Sequence, residues 1–143
     1  MSVEVFVQAF ENGAPQPVPT ARVVACFSAS VTSAGDSFLE LGFGPTDSCT
    51  VYLATASETL SDFMVHRPCG DPALAACLFA AMGLGHFILF VPGDPAPIVT
   101  ARSTVTHIPE DMIRALGQPI VADDLASFSE AFLNPGSIRY PES

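Results

Sequence analysis

From Val3 to Phe10 the chain alternates: Val3, Val5, Val7 and Ala9 point one way, and Glu4, Phe6, Gln8 and Phe10 the other. That period of two predicts a strand, and the two Phe on its polar side predict partial cover on both faces. Glu11-Asn12-Gly13-Ala14-Pro15 reads as a turn, and Pro17 and Pro19 keep the next residues extended. Thr20 is placed to cap a short helix with Val23, Val24 and Phe27 on its apolar side. Between Asp36 and Arg67, apolar runs near 38–42, 49–54 and 60–66 are separated by short stretches rich in Gly, Pro, Asp and Ser. Such short connections require antiparallel neighbours, so this region is expected to be a β-meander.

Asp71 and Pro72 open the clearest helix signal, an N-cap oxygen followed by the residue best suited to the first helical position. Leu74, Cys77, Leu78, Ala81 and Met82 then recur at helical spacing, and Gly83 or Gly85 is expected to end the helix in a left-handed conformation. His86 to Val91 is a uniformly apolar run typical of a central strand. After the turn Pro92-Gly93-Asp94-Pro95, Ile98 and Val99 add a short strand and Pro109-Glu110-Asp111 begins a helix that ends at Gly117. Residues 119–122 form another strand. Asp123 or Asp124 caps a last helix with Leu125, Phe128, Phe132 and Leu133 on its apolar side. Leu74, Leu78, Phe87, Leu89, Val51 and Leu53 are the expected core. Clustered strands and helices, without strict alternation, place the chain in the α+β class. One domain over residues 1–143 is expected, with a mixed, mostly antiparallel sheet, helices mainly on one face and a loose tail from about 135 to 143.

Charge changes this picture more than length does. Fifteen acids against five basic residues, all Arg, give a net charge of −10, while 49% of the chain is hydrophobic. The apolar content excludes a disordered acidic tail. The charge disfavours phosphate backbones and anionic membranes and favours basic surfaces. Nucleic acid and membrane are therefore not expected partners. The start Met1-Ser2-Val3-Glu4-Val5 lacks a signal-peptide pattern, and the apolar stretch 73–91 is broken by Gly83, Gly85 and His86. A cytoplasmic protein with reduced Cys26, Cys49, Cys69 and Cys77 is the resulting expectation.

The most reactive-looking stretch is His66-Arg67-Pro68-Cys69, just before a helix start whose partial positive charge favours a thiolate. A small cysteine-dependent enzyme with Cys69 as nucleophile and His66 as base is the alternative functional class, although no cysteine-enzyme signature surrounds the pair. His66, Cys69, Cys77 and His86 fit short metal-ligand spacings poorly, so neither a metal nor a cofactor is expected. Gly83-Leu84-Gly85 follows a helix and does not open one, which is the wrong place for a phosphate loop. The acidic pairs Glu110-Asp111 and Asp123-Asp124 suit helix starts. What remains is recognition: Asp36, Glu40, Asp47, Glu58 and Asp62 as an acidic set on the meander, with Phe43 and Tyr52 as apolar anchors. Phe10 and Phe63 are candidates for the second sheet face.

Val5-Phe6-Val7-Gln8-Ala9-Phe10-Glu11-Asn12-Gly13 resembles the opening strand and turn of small acidic bacterial proteins encoded beside toxins. Arg67-Pro68-Cys69-Gly70-Asp71, Phe90-Val91-Pro92-Gly93 and His107-Ile108-Pro109-Glu110-Asp111-Met112 carry the same resemblance. It implies an immunity protein of a polymorphic or secreted toxin system, which binds and neutralises a cognate toxin stoichiometrically and performs no catalysis. A basic partner surface agrees with the charge, because opposite charge accelerates encounter. A non-toxin adaptor domain is a further alternative.

Overall fold

The computed structural model describes residues 4–45, 47–92 and 96–133. Val3, the Gly93–Pro95 part of the expected turn and the expected tail lie outside these residues. The strands in chain order are β1 (Glu4–Glu11), β2 (Ala14–Pro15), β3 (Val18–Pro19), β4 (Val31–Ala34), β5 (Phe38–Gly42) and β6 (Ser48–Tyr52). β7 (Thr59–Leu60), β8 (Asp62–His66), β9 (Phe87–Phe90), β10 (Ile98–Val99) and β11 (Ile120–Val121) follow. The α-helices are α1 (Thr20–Phe27), α2 (Pro72–Met82), α3 (Glu110–Leu116) and α4 (Leu125–Leu133). Short 3-10 turns at Ser28–Ser30 and Arg102–His107 complete the list of helical segments.

β1 lies inside the main sheet, whose order is β11-β10-β9-β1-β8-β6-β5-β4. β2 also pairs with β1, and β3 and β7 form a separate two-stranded ribbon. Among these pairings only β10 with β11 is parallel. The fold is α+β, as the clustering of strands and helices implied.

Alternation decides which face is which. Val5, Val7 and Ala9 of β1, Leu39 and Leu41 of β5, Cys49 and Val51 of β6, and Phe63 and Val65 of β8 are all buried in one cluster. Val23 and Phe27 of α1, five residues of α2 and Phe128 and Ala131 of α4 close over that side. Thus three helices share one face. Among the described residues the opposite face is covered at one end, where Ile88, Val99 and Ile108 are buried with Phe10, Val105, Met112, Ile113, Leu116 and Val121 packed around them.

The core expectation holds: Leu74, Leu78, Phe87, Leu89, Val51 and Leu53 all belong to the main cluster. α2 has the expected bounds, and Asp71 Oδ1 accepts the Ala73 N–H at 2.8 Å. Several local expectations need correction. Thr20 is the first residue of α1, buried, and the cap position falls to Pro19. Gly83 ends α2 with φ of −72°, in ordinary right-handed geometry. Gly85 serves close approach instead: a Cβ there would lie 2.8 Å from Gln16 Oε1, which accepts the His86 N–H at 2.7 Å. Leu125 is 43% exposed, and Ala131 takes the buried position beside Phe128. The run near 60–66 is split because Leu60 belongs to the ribbon with β3 while Asp62 onward joins the main sheet. β4, a polar edge strand with a bulge between Val31 and Ser33, carries almost no apolar alternation and was missed for that reason.

Replacing Leu78 by Asp should cost about 4 kcal/mol or more, because it buries an unpaired charge under the sheet. Asp71→Ala should cost about 1 kcal/mol by removing the cap. Urea unfolding curves would check both: the midpoints should fall in that order with the slope unchanged.

Candidate interaction face

Outside the end covered by α3 and the Arg102–His107 turn, the second face of the sheet carries no helix among the described residues. Register arranges its side chains in cross-strand rows. Phe38 pairs with Tyr52, Tyr52 with Met64, Met64 with Phe6, and Phe6 with Phe90. Five strands thereby place an unbroken apolar row across the sheet. The Phe6 and Phe90 rings stack at 5.5 Å, and Tyr52 is 42% exposed at the open part of the row.

A polar row borders it on one side, and a row that is polar only at its start borders it on the other. One runs Glu40, Thr50, His66, Glu4. Its members are joined: Thr50 Oγ1 donates to Glu40 Oε2 at 3.0 Å, and His66 Nδ1 lies 3.0 Å from Glu4 Oε2. The His66 ring also meets Tyr52 edge-on at 6.1 Å, linking this row to the apolar one. The other border begins with Asp62 opposite Gln8 and continues through Ile88 beneath the covered end. The three rows contain Glu4, Glu40 and Asp62 and no Arg. The surface thus has an aromatic and thioether centre with Glu4, Glu40 and Asp62 beside it.

The expected binding residues divide among three places. Glu40, Tyr52 and Asp62 share the open face. Asp36 and Glu58 instead line a groove of about 880 Å³ between α1 and the loops at one end of the sheet. Thr55 N–H donates to Asp36 O at 3.1 Å and binds those loops together. Phe43 and Asp47 lie in the β5–β6 turn, at the opposite end of these strands, where Phe43 N–H donates to Asp47 O at 2.8 Å. Phe43 also packs against the main core, so the turn gives it cover that its Gly and Pro neighbours did not reveal. Phe63 is a core residue, 3% exposed, and its neighbour Met64 takes the second face. Phe38, Met64, Phe6 and Phe90 are the members of the row that the site expectation lacked. Alternation placed Phe6 opposite the core, whereas the continuous apolar runs around Phe38, Met64 and Phe90 gave no facing, and only register could align the four.

His66 and Cys69 do not form a nucleophile–base pair. His66 faces Glu4 on the open side, whereas Cys69 packs against the core cluster on the other. No three His, Cys, Asp or Glu among the described residues are grouped so as to hold a metal ion. Two other histidines do meet: the His86 and His107 rings stack at 3.7 Å with 7° between planes. His107 Nδ1 accepts the Asn12 N–H at 3.1 Å, and its carbonyl accepts the Gly13 N–H at 2.9 Å. This contact ties the β1–β2 turn, where Asn12 and Gly13 both have positive φ, to the covered end of the sheet.

Burial disfavours the thiolate at three of the cysteines. Burial pushes Cys49 up to about 12, aided by the neighbouring Cys69, while a hydrogen bond from the Cys69 N–H partly opposes the rise. Burial also raises Cys26 and Cys77. The chain matches no family model, no curated protein and no solved structure. No helix among the described residues is long and apolar enough to cross a membrane.

Iodoacetamide at pH 8 should therefore modify Cys49 slowest of the four thiols, with the difference abolished in denaturant. Because the folded pKa lies above the ordinary thiol value, Cys49 stabilises the fold fully below that ordinary value. The contribution is lost as pH climbs from about 9 towards 12. Time-resolved alkylation with peptide mass spectrometry checks the order.

Proposed function

We propose that this chain is an immunity protein that acts in the cytoplasm, neutralising a cognate toxin by stoichiometric binding without chemistry of its own. The observation that carries this reading is the open sheet face, where a row of Phe38, Tyr52, Met64, Phe6 and Phe90 has Glu40 and Glu4 along one side and Asp62 on the other. Apolar centres with polar rims are how proteins recognise proteins. The net charge of −10 and the absence of Arg from these rows select a basic partner. A toxin that acts on nucleic acid through a basic cleft has that chemistry. Nucleic acid itself, or an anionic membrane, would be repelled.

On this reading the protein works by occlusion: charge speeds encounter and the aromatic row slows escape. Asp36 and Glu58, at the groove, extend the acidic field beside the face without joining the apolar row. Co-expression with the product of the neighbouring gene is the direct test. A stable complex that abolishes toxicity is expected, and a neighbour that is neither bound nor neutralised overturns the proposal.

Glu40→Lys with Asp62→Lys should slow association by about tenfold at low salt, with the loss shrinking as ionic strength rises. Tyr52→Ala should instead accelerate dissociation, at a cost of about 2 kcal/mol. Surface-plasmon kinetics at two salt concentrations separate the effects. Unchanged association at low salt for the double reversal would move the interface off this face.

A further inference from the structure

All four cysteines of the chain lie at the same core cluster, although 51 residues separate Cys26 from Cys77. Cys49 and Cys69 are the closest in structural logic. β6 and β8 pair with Thr50 opposite His66 and Val51 opposite Val65, so Cys49 falls in line with Arg67. Arg67 has φ of 56°, a left-handed turn that ends the strand and redirects the chain towards α2. Cys69, two residues later, comes back over the buried face, and its N–H donates to the Cys49 sulfur. Both side chains belong to the same apolar cluster, with Cys49 5% exposed and Cys69 half-buried. Cys77 also lies near Cys26 and Cys49, but no hydrogen bond joins it to either: Cys26 Sγ donates to Arg22 O at 3.4 Å, and Cys77 bonds the Ser30 hydroxyl.

We propose that Cys49 and Cys69 are a redox pair that closes to an intramolecular disulfide, locking the β8–α2 loop onto β6. The oxidant is a low-molecular-weight disulfide such as oxidised glutathione. The more accessible Cys69, as thiolate, attacks one sulfur of the oxidant, breaking its S–S bond and releasing one thiolate, which takes up a proton. Cys49, deprotonated in turn, attacks Cys69 Sγ, forming the Cys49–Cys69 bond and releasing the second thiolate. Two protein thiols are oxidised and one small disulfide is reduced to two thiols. Burial of Cys49 makes the second step the slow one, so the mixed disulfide on Cys69 should build up first and then decay into the internal bond, with closure quickening about tenfold per pH unit between neutral and mildly alkaline pH. The bond would join a loop next to the open face to the strand that carries Tyr52, making that face stiffer in the oxidised form.

Reduced full-length protein is incubated with excess oxidised glutathione, quenched with acid and read by intact mass and peptide mapping. The expected product has lost two hydrogen atoms, keeps two of its four free thiols on denaturation, contains a Cys49–Cys69 peptide link and reverts with dithiothreitol. Its thermal midpoint should exceed that of the reduced form. Cys49→Ser should stop at a glutathione adduct on Cys69, and Cys69→Ser should give no intramolecular bond. A persistent adduct on the unmutated chain, a Cys26–Cys77 link, two-hydrogen loss in the Cys49→Ser variant, or four unaltered thiols would each overturn the proposal.

Discussion

Everything in this fold depends on β1 being paired on both sides. Its ladder to β8 runs from Glu4 with His66 to Gln8 with Asp62, and its ladder to β9 from Phe6 with Phe90 to Ala9 with Phe87. A doubly paired strand cannot slip by one residue without sending Val5, Val7 and Ala9 to the wrong face. Those three side chains therefore fix which side of the whole sheet receives α1, α2 and α4. Burial on that side supplies the hydrophobic stabilisation that offsets the ordering of the chain. The positions between them, Glu4, Phe6 and Gln8, are committed to the other face.

That second face is where folding and recognition part company. At the β9–β10 end it is closed by Ile108, Met112 and their neighbours. Over β5, β6, β8 and β1 it is left to side chains alone. A purely polar surface would satisfy solubility there. Instead, aromatic and thioether groups line up across five strands while carboxylates and Thr50 hydrogen-bond beside them. Cross-strand pairs of this kind contribute roughly 0.2–1 kcal/mol each to the sheet. In the proposed function the same apolar atoms also meet the partner.

Charge acts on a longer scale than these contacts. A net charge of −10 gives the chain a field that extends over about a Debye length, roughly 8 Å at physiological salt. It biases encounters towards basic surfaces but specifies no docking geometry. Geometry comes from the apolar row, whose position relative to Glu40 and Asp62 sets where the field and the contact area coincide. The groove acids Asp36 and Glu58 contribute to the first property and not to the second.

Most elements were legible in the residues themselves. Alternation fixed β1, the Asp71-Pro72 pair fixed the start of α2, and the apolar run after His86 fixed β9, because backbone geometry imposes periods that side-chain polarity reports locally. Elements without such a signal escaped: β4 is nearly all polar, and the cap of α1 is Pro19 where Thr20 looked suitable. The candidate site was legible only in part. Tyr52, Glu40 and Asp62 could be assigned to exposed strand positions, but their alignment with Phe6, Phe38, Met64 and Phe90 depends on register between strands distant in sequence. The sequence by itself determined composition, charge and the facing of strands that alternate clearly, such as β1 and β6. Only tertiary structure decided which faces met, that Phe43 and Phe63 were covered, and that Cys49 and Cys69 became neighbours. Pairing across long loops is set by the sum of burial over the whole sheet, a quantity that no local pattern contains.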